Sequence, residues 1–160
     1  MTGKDPLELP YPMQSQSWVN FRLDAITHVV DAITSAVKAD GAHAISAAVF
    51  PGPSMAKQMV RQDWGNWSLD AYFPMIYNGF YYEGTEWIGR SVRESVQTIH
   101  GKAKIYAGLM FPHIKADFEK ALDAAFDNGA SGVSFFDGPD REYLYRLKEY
   151  LKKRGFKIAR

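Results

Sequence analysis

The chain has no cysteine among its 160 residues. Disulfides, thiolate nucleophiles and Cys-ligated zinc are therefore excluded, and the redox compartment stays open. It has no apolar stretch long enough to span a bilayer, so no membrane partner is expected. It also lacks an excess of one charge: 19 basic residues face 18 acidic ones, a formal net charge of +1. The one basic run, Lys152-Lys153-Arg154, closes a helical pattern, where positive charge complements the helix dipole. Nucleic acid is not an expected partner. Residues 1–12, MTGKDPLELPYP, hold no apolar core of the kind a signal peptide needs, so no export signal is expected there. His28, His43 and His100 are scattered without ligand spacing, which gives no metal site, and the lone His113 at a strand end could be an acid or base or simply start a loop. There is no phosphate-binding P-loop, no G-x-G-x-x-G and no G-x-S-x-G elbow. No cofactor is expected.

What is present is a globular composition, 46% hydrophobic and 14% aromatic, of a length suited to one domain with a real core. Residues 1–13 hold three prolines and read as an irregular lead-in to a single domain over 14–160. Ser15 or Ser17 could cap a long helix, in which Trp18, Phe21, Ala25, Ile26, Val29, Val30, Ile33 and Val37 recur at helical spacing. Asp40-Gly41 ends it.

Short apolar runs then alternate with amphipathic ones. Strands are predicted over 44–50, 69–77, 103–111 and 131–136. Helices are predicted over 54–62, from a Thr85 cap to a stop at Gly101, around 118–126 with Gly129 as the left-handed stop, and around 143–151. Four such units after a leading helix indicate a parallel α/β sheet. They suit half of an eight-unit barrel or a four-stranded open sheet, and in both a ligand sits beyond the carboxyl ends of the strands. Those ends are Phe50-Pro51, Tyr77-Asn78, Phe111-Pro112-His113 and Asp137-Gly138.

The most distinctive stretch is Asp63 to Gly84. Its apolar middle, LDAYFPMIY, exits into Tyr77, Asn78, Phe80, Tyr81, Tyr82 and Glu83. Many rings and few charges after a buried strand make either a platform for a sugar ring or a lid over the core.

These residues resemble the family-10-like glycosyl hydrolases of bacteria, sugar-cleaving (β/α)8 barrels. The resemblance runs through TGKDPLELP from residue 2, WVNFRLDAIT at 18–27, ISAAVFPGPSMAKQMVRQDWGNW at 45–67, LDAYFPMIYNGFY at 69–81, KIYAGLMFP at 104–112 and GASGVSFFDG at 129–138. It implies an α/β fold that is the C-terminal, parallel-stranded half of a TIM (β/α)8 barrel: four βα units preceded by a long helix. The family's N-terminal half, with a motif of the type L-D-Y-I-R-Y-P, has no counterpart here. By the resemblance the principal carboxylate lies in that half. Carbohydrate is then the expected ligand, self-association or the other half-barrel the expected partner, and the full-length form is expected to be exported or periplasmic. Little turnover is expected of this chain alone.

Glycoside cleavage needs two carboxyl groups about 5–10 Å apart. Asp137, directly after a strand, is the candidate acid, against a reading as turn chemistry in Asp-Gly-Pro-Asp. Glu83 could reach a sugar or sit solvated in its loop. Asp70 begins its strand and is excluded from the site. Asp63 and Trp67 keep the family's Asp-x3-Trp spacing. Asp63 could bind a hydroxyl or cap a turn, and Trp64 could stack on a sugar or pack between helices. Tyr77, Asn78, Phe80 and His113 complete the substrate-binding candidates by position. Two other readings stand beside this one: a non-catalytic half-barrel that binds sugar or a partner chain, and a phosphate-ligand barrel, since GASGVSFFDG resembles the last phosphate loop of isomerase-type barrels.

Overall fold

A computed structural model of the chain describes residues 5–156. The lead-in contains two 3-10 turns, Pro6–Glu8 and Pro12–Gln14, each opened by a proline whose missing N–H costs nothing there. The expected lead-in residues 1–4 lie outside the described residues, as do 157–160. Helix α1 spans Gln16–Ala39. Ser15 stands at its N-cap, but its hydroxyl meets that of Ser17 at 3.1 Å and makes no bond to the helix end. There follow β1 (Ser46–Val49), α2 (Pro53–Val60), β2 (Ala71–Pro74), α3 (Thr85–Ile99), β3 (Lys104–Met110), α4 (Phe111–Ile114), α5 (Phe118–Phe126), β4 (Gly132–Phe136) and α6 (Arg141–Lys153). Other local expectations change as well, and α3 ends on left-handed His100 just before Gly101. Thr85 is the first helical residue and Gly84 occupies the cap. The link between β3 and α5 is the one-turn α4 plus a 3-10 turn, Lys115–Asp117, because Pro112 suits a first helical turn.

The four strands form one all-parallel sheet in the order β1-β2-β3-β4. Strands that pair in sequence order through right-handed crossovers put their connecting helices on one face. Burial agrees. Along the strands alternate residues turn to the helices: Ala107, Leu109, Val133 and Phe135 pack with Ile88 and Val92 of α3 and Phe118 and Leu122 of α5, while Tyr72 and Ile105 pack with Trp64, Trp67 and Ile99. Trp64 and Trp67 fill the space beneath β1 and β2, together with Ile26 and Val30 of α1. Thr27 of α1 accepts the Trp67 indole N–H at 3.2 Å.

The intervening strand residues face the other way. Phe73 and Tyr106 stack there with centroids 5.0 Å apart. Ser46, Ala48 and Phe136 on that face are exposed, and Ser134 is half-buried. Gly132 leaves room for the Tyr106 ring: a Cβ on it would stand 2.8 Å from Tyr106 Cδ1. β2 is shorter than its apolar run because Pro74 has no N–H for the ladder. Beyond it one further parallel bridge joins Met75 to Gly108. A Cβ on Gly108 would stand 2.8 Å from the Pro74 carbonyl oxygen, so the two backbones approach this closely only over glycine.

Asp70 ties the opposite end of the sheet. Its Oδ2 accepts the Ile45 N–H at 2.8 Å, its carbonyl accepts the Lys104 N–H at 3.1 Å, and Lys38 Nζ lies 3.5 Å from Oδ1. The Ile45 N–H first, and Lys38 after it, hold this carboxyl below the ordinary aspartate range. Among the described residues no helix is long and apolar enough to cross a membrane.

Candidate functional site

The carboxyl ends of β2, β3 and β4 bring four rings into one row. Tyr77 follows β2 and sits 5.7 Å from Phe136 at the end of β4. Phe80 meets Tyr77 edge-on at 6.0 Å, and His113 of α4 meets Phe80 edge-on at 4.8 Å. The row His113–Phe80–Tyr77–Phe136 thus crosses the end of the sheet. Phe80 is 62% exposed and Phe136 60% exposed. Phe136 was not among the residues singled out from the sequence. Its signal is parity: Phe135 points to the helices, so its neighbour points to the open face. Burial holds the Tyr77 hydroxyl above its ordinary value, so it is a neutral donor and acceptor at the edge of the row.

The loop after Tyr77 is a 3-10 turn, Asn78–Tyr81, ended by Tyr82 in the left-handed region at φ 56°. Asn78 builds that loop. Its Nδ2 donates to the Glu83 carbonyl at 3.0 Å, and its own carbonyl accepts the Glu83 N–H at 3.1 Å. Asn78 is only 5% exposed, so it lies beneath the row and positions it, in place of the surface ligand contact expected. Its Oδ1 and His113 Nδ1 are buried with no hydrogen-bond partner among the described residues. Tyr81 packs on Trp87 at 5.0 Å and belongs to the core cover, while Tyr82 is fully exposed.

The acids divide clearly. Glu83 turns aside to Arg90, with Oε2 3.0 Å from Nη2. Asp137 is exposed directly after β4, in the left-handed conformation at φ 57°. Asp140, three residues on, accepts the Tyr143 N–H at 3.2 Å and caps α6. The Asp-Gly-Pro-Asp segment is therefore a working turn and cap, with Asp137 at its tip. No second acid joins Asp137 directly after a strand among the described residues.

Two sequence candidates lie elsewhere. Trp64 is completely buried on the helix side of the sheet, with its ring 5.1 Å from that of Tyr72. It is a packing residue and offers no face to a sugar. Asp63 is held by Lys57 Nζ at 2.8 Å from Oδ1 and by Asn66 Nδ2 at 2.9 Å from Oδ2. It borders a cleft shared with Thr98, His100 and Lys102, and the last two lie just before β3. Asp63 therefore sits apart from the row of rings. Of the residues expected at the site, the fold brings together Tyr77, Phe80 and His113 with Asn78 beneath, and leaves Asp63 and Trp64 out. Among the described residues no group of acids and histidines is placed to hold a metal ion. No protein-family model matches the chain, and neither does any curated protein or solved structure.

Proposed function

We propose that this chain is a glycoside hydrolase-like domain that supplies one half of a carbohydrate-binding cleft. The observation that carries the reading is the partly exposed row Phe136–Tyr77–Phe80–His113 at the carboxyl ends of parallel strands. Ring faces and edges of this kind suit the C–H faces of a sugar, and strand carboxyl ends are where α/β folds place their ligands. The sequential order of four parallel strands is what four consecutive units of a (β/α)8 ring would have. The open face with its Phe73–Tyr106 stack would then be the inner layer of that ring. The likeness to family-10-like glycosyl hydrolases supports the same assignment.

The role proposed for this chain is binding, with cleavage dependent on a further carboxylate from outside it. Asp137 stands alone after its strand, and Glu83 is engaged by Arg90. Glycoside cleavage pairs a general acid with a second carboxylate that acts as nucleophile or activates water, and one acid cannot fill both places.

Saturation-transfer NMR of the full chain with a panel of neutral α- and β-linked oligosaccharides tests this. Transfer to ligand is expected, and it should fall away in Tyr77→Ala and Phe136→Ala. A folded chain that transfers nothing to any member of the panel would rule the reading out.

A further inference from the structure

Arg61 is a buried cation with no anion beside it among the described residues. It is 4% exposed and ends α2 in the left-handed region at φ 61°. Its Nη1 donates to the carbonyls of Lys57, at 2.9 Å, and of Gln58, which caps the end of its own helix. The other edge of the guanidinium, formed by Nε and Nη2, is poorly used. Among the described residues Nη2 meets the thioether of Met13, at 3.4 Å, and Nε is buried with no acceptor. Among the described residues no carboxylate pairs with Arg61, and the neighbouring cation, Lys57, is already matched by Asp63. A thioether is a weak acceptor, whereas this edge of arginine fits two carboxylate oxygens at once.

Arg61 and Met13 both border an open hollow of about 400 Å³ between the start of α1 and α2. Val19 and Leu23 give it an apolar side, and Gln16 and Gln58 give it amides. Its volume suits a small metabolite. Met13, which blocks the unused edge, belongs to an exposed turn and is itself 58% exposed, so it can swing away.

We infer that the cavity between α1 and α2 is a binding site for a small organic monocarboxylate, gripped by Nε and Nη2 of Arg61 once Met13 is displaced. One uncompensated positive charge on a flat two-donor edge favours a planar monoanion over a phosphate. The mixed lining accommodates a short carbon chain. The site is separate from the row of rings and independent of the carbohydrate reading.

The test is a titration of the full chain, labelled at its methionine methyls, with acetate, butyrate, benzoate and inorganic phosphate at fixed ionic strength. The Met13 methyl and the Arg61 Nε–H are followed by NMR. Saturable movement of both with the carboxylates is expected, larger than with phosphate. Arg61→Lys keeps the charge but loses the fork, and should weaken binding about tenfold. Val19→Trp fills the hollow from α1 while leaving Arg61 itself unchanged, and should abolish binding. It decides the matter if Arg61→Lys fails to fold. Absence of saturable movement in the folded chain, an equal response to phosphate, or binding undiminished in Val19→Trp would each overturn the inference.

Discussion

The imidazole of His113 lies across Gly79, so close that a Cβ on the glycine would stand 2.7 Å from its Cγ. The loop after β2 and the turn after β3 are thereby locked together, and Phe80 takes its edge-on place against His113 as a result. Gly79→Ala should push the imidazole aside and break the row of rings, with a stability cost of about 1–3 kcal/mol from overpacking. Oligosaccharide contact, read by saturation transfer, should fall more than the melting temperature does. An alanine variant that binds as the parent does would mean that this packing is irrelevant to the rim.

Tyr77→Ala and Trp64→Ala separate the rim from the core. Tyr77 is half-buried at the sheet end, so its loss should leave the fold intact while removing the centre of the row. Trp64 is wholly buried against Tyr72, and its truncation should cost about 3–5 kcal/mol. Urea unfolding of both variants checks this. Similar losses in the two would contradict the division.

Gly108→Ala should destabilise the chain by about 1–3 kcal/mol, because the obstacle is the Pro74 backbone and not a side chain that can turn. Gly138→Ala is the control: a Cβ there meets nothing within 4 Å. Denaturant midpoints should fall for the first and stay nearly level for the second.

Stability should fall at both ends of the pH scale. Asp70 is lowered chiefly by the Ile45 N–H, Glu86 by its bond from Lys120 and Glu119 by its bond from Arg146. Folded carboxylates with depressed pKa values bind fewer protons than unfolded ones, so their contribution is lost as pH drops through the ordinary range and below. At the alkaline end burial pushes Tyr72 up to about 12, and burial with the Asp123 hydrogen bond takes Tyr150 to about 12. An unfolded tyrosine ionises near 10, so stability should decline between about 10 and about 12. Phenolate absorbance should show late tyrosines, Tyr72 and Tyr150 together with the burial-raised Tyr77 and Tyr81, that titrate normally once urea is added, and Tyr72→Phe should remove one of them.

Among the described residues β1 and β4 each have one strand neighbour, and the face between them carries exposed Ser46, Ala48 and Phe136. Unpaired edges beside an apolar face favour association. Gel filtration is expected to give an apparent mass that rises with concentration, and Ala48→Lys should move it toward the monomer. A parent chain that elutes as a monomer at every concentration would remove this expectation.

Periodicity made the element order legible, since buried strands and amphipathic helices differ in repeat. The helix stop at Asp40-Gly41, the left-handed Gly129 and the place of Asp70 at the far end of the sheet were readable for the same local reason. The composition of the site was harder. Trp64 and Tyr77 are both rings beside the same strand, and only the long-range packing of α1 and α3 decides which is enclosed. Phe136 is readable only by parity counted from a neighbour of known direction, because a run of apolar residues surrounds it. Arg61 carries no sequence signal: the side-chain contact its guanidinium makes is with Met13, distant in sequence.

Because every strand pairs with the one before it in the chain, no segment must wait for a distant partner to be synthesised. As the polypeptide leaves the ribosome, each βα unit can dock on its predecessor in turn, so the growing edge migrates from Ser46–Val49 toward Gly132–Phe136. Interrupting translation after any unit should leave a shorter intermediate of the same architecture, and ribosome-stalled chains of increasing length would reveal protection from proteolysis arriving in steps.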